Sequence, residues 1–241
     1  MFKRLSLPVF LLFFLCHPTV AAPTALINTT VAGVRVSYIA VRLTDPHIKV
    51  QVEVCRGFPG GDEPFASMVQ RLRPLAAING AYFSKQTKRP IGDIVRHGQV
   101  LYRGDFGTTL SLAAGGVPTI RRVVLGHAMD WDGQETVLGC GPALVLDRRV
   151  DVNAEAEGFW DPHVVGSAAR VAVGYTRDGH LLLVRVPTPV TFAREAVVMQ
   201  ALGCEAAMNL DAGASTAMYY QGKYLVTPGR RLTNLLCIYQ R

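Results

Sequence analysis

The sequence predicts an α+β fold, in which a single strand-rich domain with mixed β-sheets carries two main helices. Three observations lead to this prediction. Short stretches of alternating apolar and polar residues recur along most of the 241-residue chain. Turn-forming Gly, Asn and Asp residues separate these stretches. The chain also has no internal repeat and no low-complexity linker, which favours one domain.

The first 22 residues are typical of a secretory signal peptide and are set apart from the fold. Lys3 and Arg4 precede an apolar run over residues 5–15, and Val20-Ala21-Ala22 places small residues before a cleavage point. The apolar run is too short to span a membrane. We therefore expect an exported protein, periplasmic or secreted, with no integral membrane segment after cleavage and one domain over residues 23–241.

Composition excludes several classes of partner. Removal of Lys3 and Arg4 lowers the formal charge from +7 to +5, a modest balance that suits anionic substrates. The basic residues are scattered and do not alternate with aromatic ones, so we expect no nucleic-acid partner. Without Cys-x-x-Cys or a His pair at ligand spacing, we expect no metal site and no cofactor.

Four cysteines remain in the predicted mature chain. An even number of cysteines in an exported protein predicts one or two disulfides. Sequence leaves the three connectivities open. The residues concerned are Cys55, Cys140, Cys204 and Cys237.

The first half of the chain is mostly strands. Apolar residues alternate over residues 48–54, which predicts a half-buried strand. We expect the preceding strand, residues 34–43, to pair with it across residues 44–47. A helix is predicted over residues 62–73 and ends at Pro74. Further short strands are predicted over residues 94–96, 100–102, 108–112 and 117–124, with turns at 97–98 and 115–116.

The second half contains the clearest local patterns. Asp178-Gly179 predicts a tight hairpin between strands 170–175 and 181–186. Thr191 is predicted to cap a helix over residues 192–202 that ends at Gly203. The long polar segment 151–167 is typical of a lid or of the rim of a site. The remaining predictions are a strand at 206–210, a hairpin at 221–223 and a last strand at 235–239.

Polar side chains follow two of the predicted buried strands. Asn79 ends the strand over residues 75–78 and is followed by Gly80 and an aromatic pair. Asn209 and Asp211 stand two apart, so on a strand both side chains point to one face. Small residues come directly after Asp211 and allow a ligand to approach the backbone. Each stretch is equally consistent with an ordinary turn in which Asn or Asp bonds its own backbone.

Three segments, in this order, resemble motifs of the phosphodiester glycosidase family, which includes the lysosomal uncovering enzyme. They are residues 77–83 (AINGAYF), 169–174 (ARVAVG) and 209–215 (NLDAGAS). The resemblance extends over about residues 75–240. It implies a hydrolase that cleaves a sugar–phosphate diester at the anomeric carbon, with a glycosyl phosphodiester or an envelope polymer as substrate. The alternatives are a non-catalytic glycan-binding protein on the same scaffold and a metal-assisted phosphodiesterase.

The resemblance also implies site residues. Asp211 is expected to act as nucleophile, base or electrostatic stabiliser of an oxocarbenium-like transition state. Arg170 offers planar, bidentate donors for phosphate oxygens, and Asn79 completes the expected catalytic set. A partner acid is not identified, and Glu205, Asp93 and Asp161 are its candidates. The expected substrate-binding residues are Gly80, Phe83, Gly213, Ser215 and Asn234.

This chain departs from the family pattern at three small residues. The family writes Leu-Asp-Gly-Gly-Gly-Ser where this chain has Ala212 and Ala214 in place of the outer glycines, and Ala81 replaces a glycine of the first motif. An alanine is costly wherever the backbone needs a positive φ. The three alanines therefore raise the question of whether the loop after Asp211 is shifted.

Overall fold

The computed structural model describes residues 22–104 and 106–241. The predicted signal peptide lies outside the described residues, apart from Ala22. Within the described ranges, no helix is both long enough and apolar enough to cross a membrane.

Strands numbered in chain order form one large sheet and two smaller ones. The large sheet has seven strands: β1 (Thr24–Val31), β2 (Val34–Arg42), β10 (Ala143–Leu146), β11 (Arg149–Val150), β12 (Ala168–Thr176), β13 (His180–Val190) and β14 (Cys204–Asn209). Their spatial order is β1-β2-β13-β12-β14-β10-β11.

The two smaller sheets have five strands each. The second sheet contains β3 (Ile48–Val54), β4 (Ala76–Asn79), β15 (Met218–Tyr220), β16 (Lys223–Val226) and β17 (Asn234–Gln240), in the order β16-β15-β4-β17-β3. The third contains β5 (Ile94–Arg96), β6 (Gln99–Tyr102), β7 (Thr108–Ala113), β8 (Pro118–Arg122) and β9 (Gln134–Cys140), in the order β6-β5-β9-β7-β8. Every pairing between these strands is antiparallel.

One apolar core joins all three sheets. It contains Val173 of β12, Ile78 of β4 and Leu138 of β9, each fully buried. Side chains alternate across a strand, so the opposite face of the large sheet must be covered by something else. Ala172 points to that face and packs with Phe192 and Met199 in a second cluster.

Two helices cover the outer faces of the sheets, as predicted. Helix α1 (Phe65–Leu72) packs Met68 against Leu235 of the second sheet. Helix α3 (Phe192–Ala201) covers the large sheet, and the Thr191 hydroxyl caps it by accepting a hydrogen bond from the main-chain N–H of Arg194 at 3.3 Å. A one-turn helix α2 (Pro162–Val165) and a 3₁₀ turn (Gly213–Ser215) complete the list. The prediction of a strand-rich α+β fold is confirmed.

The predicted pairing of residues 34–43 with residues 48–54 is wrong. Strand β2 pairs with β1 and β13, whereas β3 belongs to another sheet and pairs with β17. The main-chain N–H of Leu43 donates to the oxygen of Gly179 at 2.8 Å, so β2 stays with the β12–β13 hairpin to its end. Residues 44–47 therefore carry the chain between sheets and do not close a hairpin.

The predicted disulfides are absent from the described residues, where Cys55, Cys140, Cys204 and Cys237 are all free and buried. Cys55 and Cys237 belong to the same apolar cluster, but the register explains why they do not bond. Cys237 pairs with Gln51, four residues before Cys55, which corresponds to about 13 Å along a strand. A disulfide requires Cα atoms within about 7 Å.

Candidate active site

The ends of four strands meet at one edge of the core. The main-chain N–H of Asp211, just beyond β14, donates to the oxygen of Gly80 at 3.0 Å, just beyond β4. The N–H of Gly80 donates to Asn234 O at 3.2 Å, at the start of β17. Leu210 N–H donates to Val171 O at 2.8 Å, next to Arg170 of β12. The structure therefore brings together the polar residues that the sequence places at strand ends.

Asn79 fixes the segment that follows Asp211. Its side-chain N–H donates to the main-chain oxygen of Asp211, and its side-chain oxygen accepts from the N–H of Ala217 at 2.9 Å. The residue is 1% exposed. Asn79 thus ties both ends of the 211–217 segment to the end of β4.

Asn234 and Gly80 form a second contact between strand ends. The Asn234 side-chain oxygen accepts from Ala81 N–H at 2.7 Å, and its amide donates to the Thr233 hydroxyl at 2.8 Å. A Cβ at position 80 would lie 2.0 Å from that same Asn234 oxygen. A side chain at position 80 would therefore displace the Asn234 amide and break its bond to Ala81, which glycine avoids.

Asp211 is a buried carboxyl group with few compensating contacts. Asp211 is only 6% exposed. Burial raises the pKa of Asp211 to about 7, against the Ser215 hydroxyl and the charges of Arg230 and Lys85, which lower it. The Ser215 hydroxyl is close enough to influence this pKa, yet no hydrogen bond of ordinary geometry joins the two groups.

The loop after Asp211 accommodates its alanines without strain. Gly213 has φ 62°, the left-handed conformation that favours glycine. Ala212 is extended, with φ −125°, and Ala214 lies in the 3₁₀ turn without a positive φ. Ala81 has no positive φ either. The glycine that this chain retains is therefore the one whose conformation requires it.

Arg170 is buried more deeply than an arginine that binds phosphate at a protein surface. Its guanidinium donates from Nε to Val190 O at 3.2 Å and from Nη2 to Gly166 O, and stacks 3.9 Å from the centre of the Phe192 ring. The residue is 1% exposed. No ion pair within the described ranges joins Arg170 to Asp211, so these contacts position the guanidinium independently of that carboxylate.

Glu195 of α3 is a buried carboxyl group that sequence reasoning missed. It is fully buried, and neither of its oxygens has a hydrogen-bond partner among the described residues. Burial raises the pKa of Glu195 to about 8, and the charge of Arg170 lowers it only in part. Glu195 lies one helical turn after Phe192 and hence on the same side of α3. The one available signal was this i, i+3 relation to a helix residue facing the sheet.

Asn209 connects the loop to an aromatic group. Its amide donates to the Tyr82 hydroxyl at 2.9 Å and to Gly141 O at 3.0 Å. Tyr82 packs 5.7 Å from Phe159, which in turn lies 4.9 Å from Phe106. Burial raises the pKa of Tyr82; the charge of Asp211 adds to this rise and the charge of Arg170 opposes it. The Tyr82 hydroxyl is thus subject to the electrostatic influence of both groups.

Phe159 belongs to the segment 151–167 that was predicted to be a rim. The adjacent Trp160 is 64% exposed. Phe83, a predicted substrate contact, is half-buried and lies 5.9 Å from the ammonium of Lys88. Trp160 and Phe83 thus present aromatic surface next in sequence to the packed pair Phe159 and Tyr82.

Three buried polar atoms at this edge have no hydrogen-bond partner in the part of the chain that the structure describes. They are Asn209 Oδ1, Ser215 Oγ and Thr216 Oγ1. Buried polar groups in proteins are almost always hydrogen-bonded. An accumulation of unsatisfied acceptors and hydroxyls beside Asp211 is typical of a site that receives hydrogen bonds from a ligand.

The three acids proposed as partners of Asp211 have structural contacts. Glu205 pairs with Arg177 at 3.2 Å. Asp93 accepts from Gly104 N–H and from the Trp131 indole, both at 2.6 Å. Asp161 caps α2 by accepting from His163 N–H at 2.9 Å. In the part of the chain that the structure describes, no group of three or more His, Cys, Asp or Glu side chains is placed to hold a metal.

Comparison with known proteins gives the family. The sequence profile of phosphodiester glycosidases matches residues 73–239, which is more than half of the chain. The chain belongs to the phosphodiester glycosidase family. The predicted membership, drawn from three short motifs, is confirmed. No curated protein matches the chain in sequence.

Three solved structures share the fold. Zebrafish N-acetylglucosamine-1-phosphodiester alpha-N-acetylglucosaminidase, a catalytic domain auto-inhibited by its pro-peptide, has 20% identity and a TM-score of 0.71, over 90% of this chain and 82% of that one. A hypothetical protein from Synechocystis has 17% identity and a TM-score of 0.67, over 90% and 61%. A putative exported protein from Burkholderia pseudomallei K96243 has 14% identity and a TM-score of 0.60, over 86% and 74%. This chain thus spans 61% of the Synechocystis protein, and at these identities the likeness shows the fold alone.

Proposed function

We propose that this protein is an exported hydrolase that cleaves glycosyl phosphodiesters between the anomeric carbon and the phosphate oxygen. Family membership supports the reaction class. The observation that carries the proposal is the buried Asp211 carboxyl, which lies among unpartnered hydroxyl and amide oxygens. A buried carboxyl with a raised pKa in such surroundings is typical of a catalytic group.

The proposed reaction requires little general-acid assistance to the leaving group. Water supplies a hydroxyl group to the anomeric carbon, and the bonding pair of the C–O bond leaves with the phosphate oxygen. The products are a free sugar, a phosphomonoester and a proton. Because a phosphomonoester is a good leaving group, the site mainly has to stabilise positive charge on the sugar and hold the anion.

Asp211 acts in this proposal as the carboxylate that faces the developing oxocarbenium charge. Its pKa of about 7 keeps a substantial ionised fraction at neutral pH. Asn79 acts as a positioning residue, since its two hydrogen bonds are to the segment that bears Asp211. Gly80 and Asn234 support the same edge, and Gly213 and Ser215 face the substrate from the loop.

Arg170 and Glu195 form the deeper layer of the proposed site. Two of the five N–H groups of Arg170 are used by Val190 and Gly166, which leaves three for a phosphate oxygen. Glu195 is the better candidate for the partner acid than the three named from sequence, because its oxygens are unpartnered and the others are bonded.

The substrate is proposed to be a glycosyl phosphodiester of the cell envelope, such as a polymer linked through sugar phosphates. Export is supported by the charged and apolar pattern of residues 1–22. A periplasmic or secreted hydrolase would meet such polymers.

Turnover of UDP-N-acetylglucosamine tests the proposal. Wild-type protein should release N-acetylglucosamine and UDP, and Asp211→Asn should lose at least about a hundredfold in kcat/KM. Asp132→Asn, which changes an exposed loop carboxylate in the same way, serves as the matched control and should retain full activity. Glycan binding without turnover would support the non-catalytic alternative, and loss of activity with a chelator would support the metal-assisted one.

A further inference from the structure

One carboxylate fastens two loops together beside the proposed site. Asp62 pairs with Lys88 at 3.2 Å and with Arg231 at 2.6 Å. Arg231 also donates to the main-chain oxygen of Asp62 at 2.9 Å. The loop over residues 84–89 and the segment 229–231 are thereby bound to the same residue, although more than 100 positions separate them in the sequence.

Both loops border the segment that carries Asp211. The N–H of Gly229 donates to Ala214 O at 2.8 Å, which places Arg230 directly beside the 3₁₀ turn. The other loop begins just after Tyr82, the partner of Asn209, and closes through Ser84 N–H to Arg89 O at 2.9 Å. Lys85 lies at the start of this closed loop.

Lys85 and Arg230 are cations without acidic partners among the described residues. Their neighbours Lys88 and Arg231 are neutralised by Asp62, but neither Lys85 nor Arg230 forms an ion pair with another described residue. Lys85 is exposed and Arg230 is half-exposed. The charges of both lower the pKa of the buried Asp211. Both positive charges therefore act on the same buried carboxyl group.

We propose that Lys85 and Arg230 form an anion-binding subsite beside Asp211, where they bind the phosphate of the substrate from the solvent side, in addition to the buried Arg170, and hold the phosphomonoester product. Arginine offers paired N–H donors to two phosphate oxygens, and lysine adds a mobile point charge. The Ser215 and Thr216 hydroxyls, buried and unpartnered in the same turn, supply further donors. This inference rests on the proposed function for the identity of the ligand.

In this proposal Asp62 positions the two loops of the subsite, in addition to any contribution to stability. Exposed ion pairs contribute little on their own. Asp62 neutralises Lys88 and Arg231, whereas Lys85 and Arg230 have no ion-pair partner among the described residues. Asp62 is therefore a positioning residue for the anion, although it carries the same sign of charge.

Titration with inorganic phosphate at constant ionic strength tests the subsite without any need for turnover. Lys85→Gln and Arg230→Gln should each weaken the phosphate Kd about tenfold, and the double variant more. Lys223→Gln and Arg35→Gln are matched controls on exposed residues elsewhere, and each should change Kd less than about twofold. Equal effects of all four variants would show that phosphate responds only to net charge and would overturn the proposal.

The variant Asp62→Asn distinguishes a preorganised phosphate site from non-specific electrostatic attraction of phosphate. This variant adds one positive charge, so diffuse electrostatics predicts tighter phosphate binding, whereas loss of the fastening between the two loops predicts weaker binding. We expect weaker binding, and tighter binding would contradict the role of Asp62. A protein that binds phosphate through Lys85 and Arg230 but turns over no diester would refute the proposed function and leave the subsite standing. Turnover of the diester with a KM that is unchanged in Lys85→Gln and Arg230→Gln would refute the subsite and support the proposed function.

Discussion

The side-chain amide of Asn79 donates a hydrogen bond to the main-chain oxygen of Asp211, while its side-chain oxygen accepts from Ala217 N–H. The two bonds hold the seven-residue segment 211–217 at the end of a fully buried strand. Asn79, predicted to belong to the catalytic set, thus acts on the backbone that carries the proposed catalytic carboxyl group. Function and stability of this edge should change together when Asn79 is replaced.

Asn79→Ala removes both hydrogen bonds and leaves the Ala217 N–H buried without a partner. We expect the free energy of unfolding to fall by about 2–3 kcal/mol, and turnover to fall because Asp211 is no longer fixed. Urea denaturation measures the first effect and kcat/KM the second. Asn28→Ala, which removes an exposed amide whose oxygen accepts a hydrogen bond from the Ser37 hydroxyl, should change stability by less than about 0.5 kcal/mol. Full activity in Asn79→Ala would contradict the positioning role.

Gly213→Ala places a side chain at a φ of 62°. We expect a loss of about 1 kcal/mol in the free energy of unfolding, because alanine avoids this conformation. Ala212→Gly and Ala214→Gly restore the usual family residues, and they should slightly lower stability without raising turnover, since neither alanine is strained. A large gain of activity in either variant would show that the alanines do impair the loop.

The pH dependence of stability should reveal the two buried carboxyl groups. Burial raises the pKa of Asp211 from 3.8 to about 7 and that of Glu195 from 4.5 to about 8. As pH rises above the unfolded-state pKa, the unfolded chain ionises while the folded protein keeps its protons. The free energy of unfolding should therefore decline between about pH 5 and pH 8, by up to about 1.4 kcal/mol per pH unit for each group.

Asp211→Asn and Glu195→Gln cannot ionise, so each should flatten this decline, and the double variant should flatten it most. Urea denaturation at several pH values between about 5 and 8 measures the slopes. Asp132→Asn, at an exposed position, should keep the wild-type slope. Parallel slopes in all variants would show that neither buried carboxyl group holds its proton in the folded state.

The four cysteines should behave as buried thiols. A thiol reagent should label none of them in the folded protein and all four after denaturation, because Cys55, Cys140, Cys204 and Cys237 are buried and free. Burial raises the pKa of Cys55 to about 11 and that of Cys204 to about 12, which further suppresses the reactive thiolate. A reducing agent should leave Tm unchanged. A drop in Tm on reduction would reveal a disulfide.

Local patterns were the most predictable part of the fold. The hairpin across Asp178-Gly179 and the Thr191-capped helix follow from the chemistry of a few adjacent residues, and the structure has both. The pairing of β2 was mispredicted because its partner, β13, lies far along the chain and is chosen by the shared core. The disulfide prediction failed similarly, since compartment and number of cysteines say nothing about strand register.

The sequence predicted which residues lie near one another in the site, but it did not predict the contacts that their side chains make. Sequence placed Asn79, Arg170 and Asp211 at strand ends that the structure brings to one edge. It did not indicate that Asn79 and Asn234 bond mainly to backbone, or that Arg170 rests on Phe192. Glu195 was missed because a glutamate in a short helix is usually solvated. Its burial depends on how α3 packs against the large sheet.

The central claim is that water attacks the anomeric carbon of a glycosyl phosphodiester at the Asp211 site. Hydrolysis of UDP-N-acetylglucosamine in water enriched with oxygen-18 tests it most directly, with mass spectrometry of both products. We predict that the label enters the released sugar, that UDP stays unlabelled, and that Asp211→Asn abolishes incorporation. Label in the phosphate of UDP would show cleavage of the P–O bond and would contradict the account.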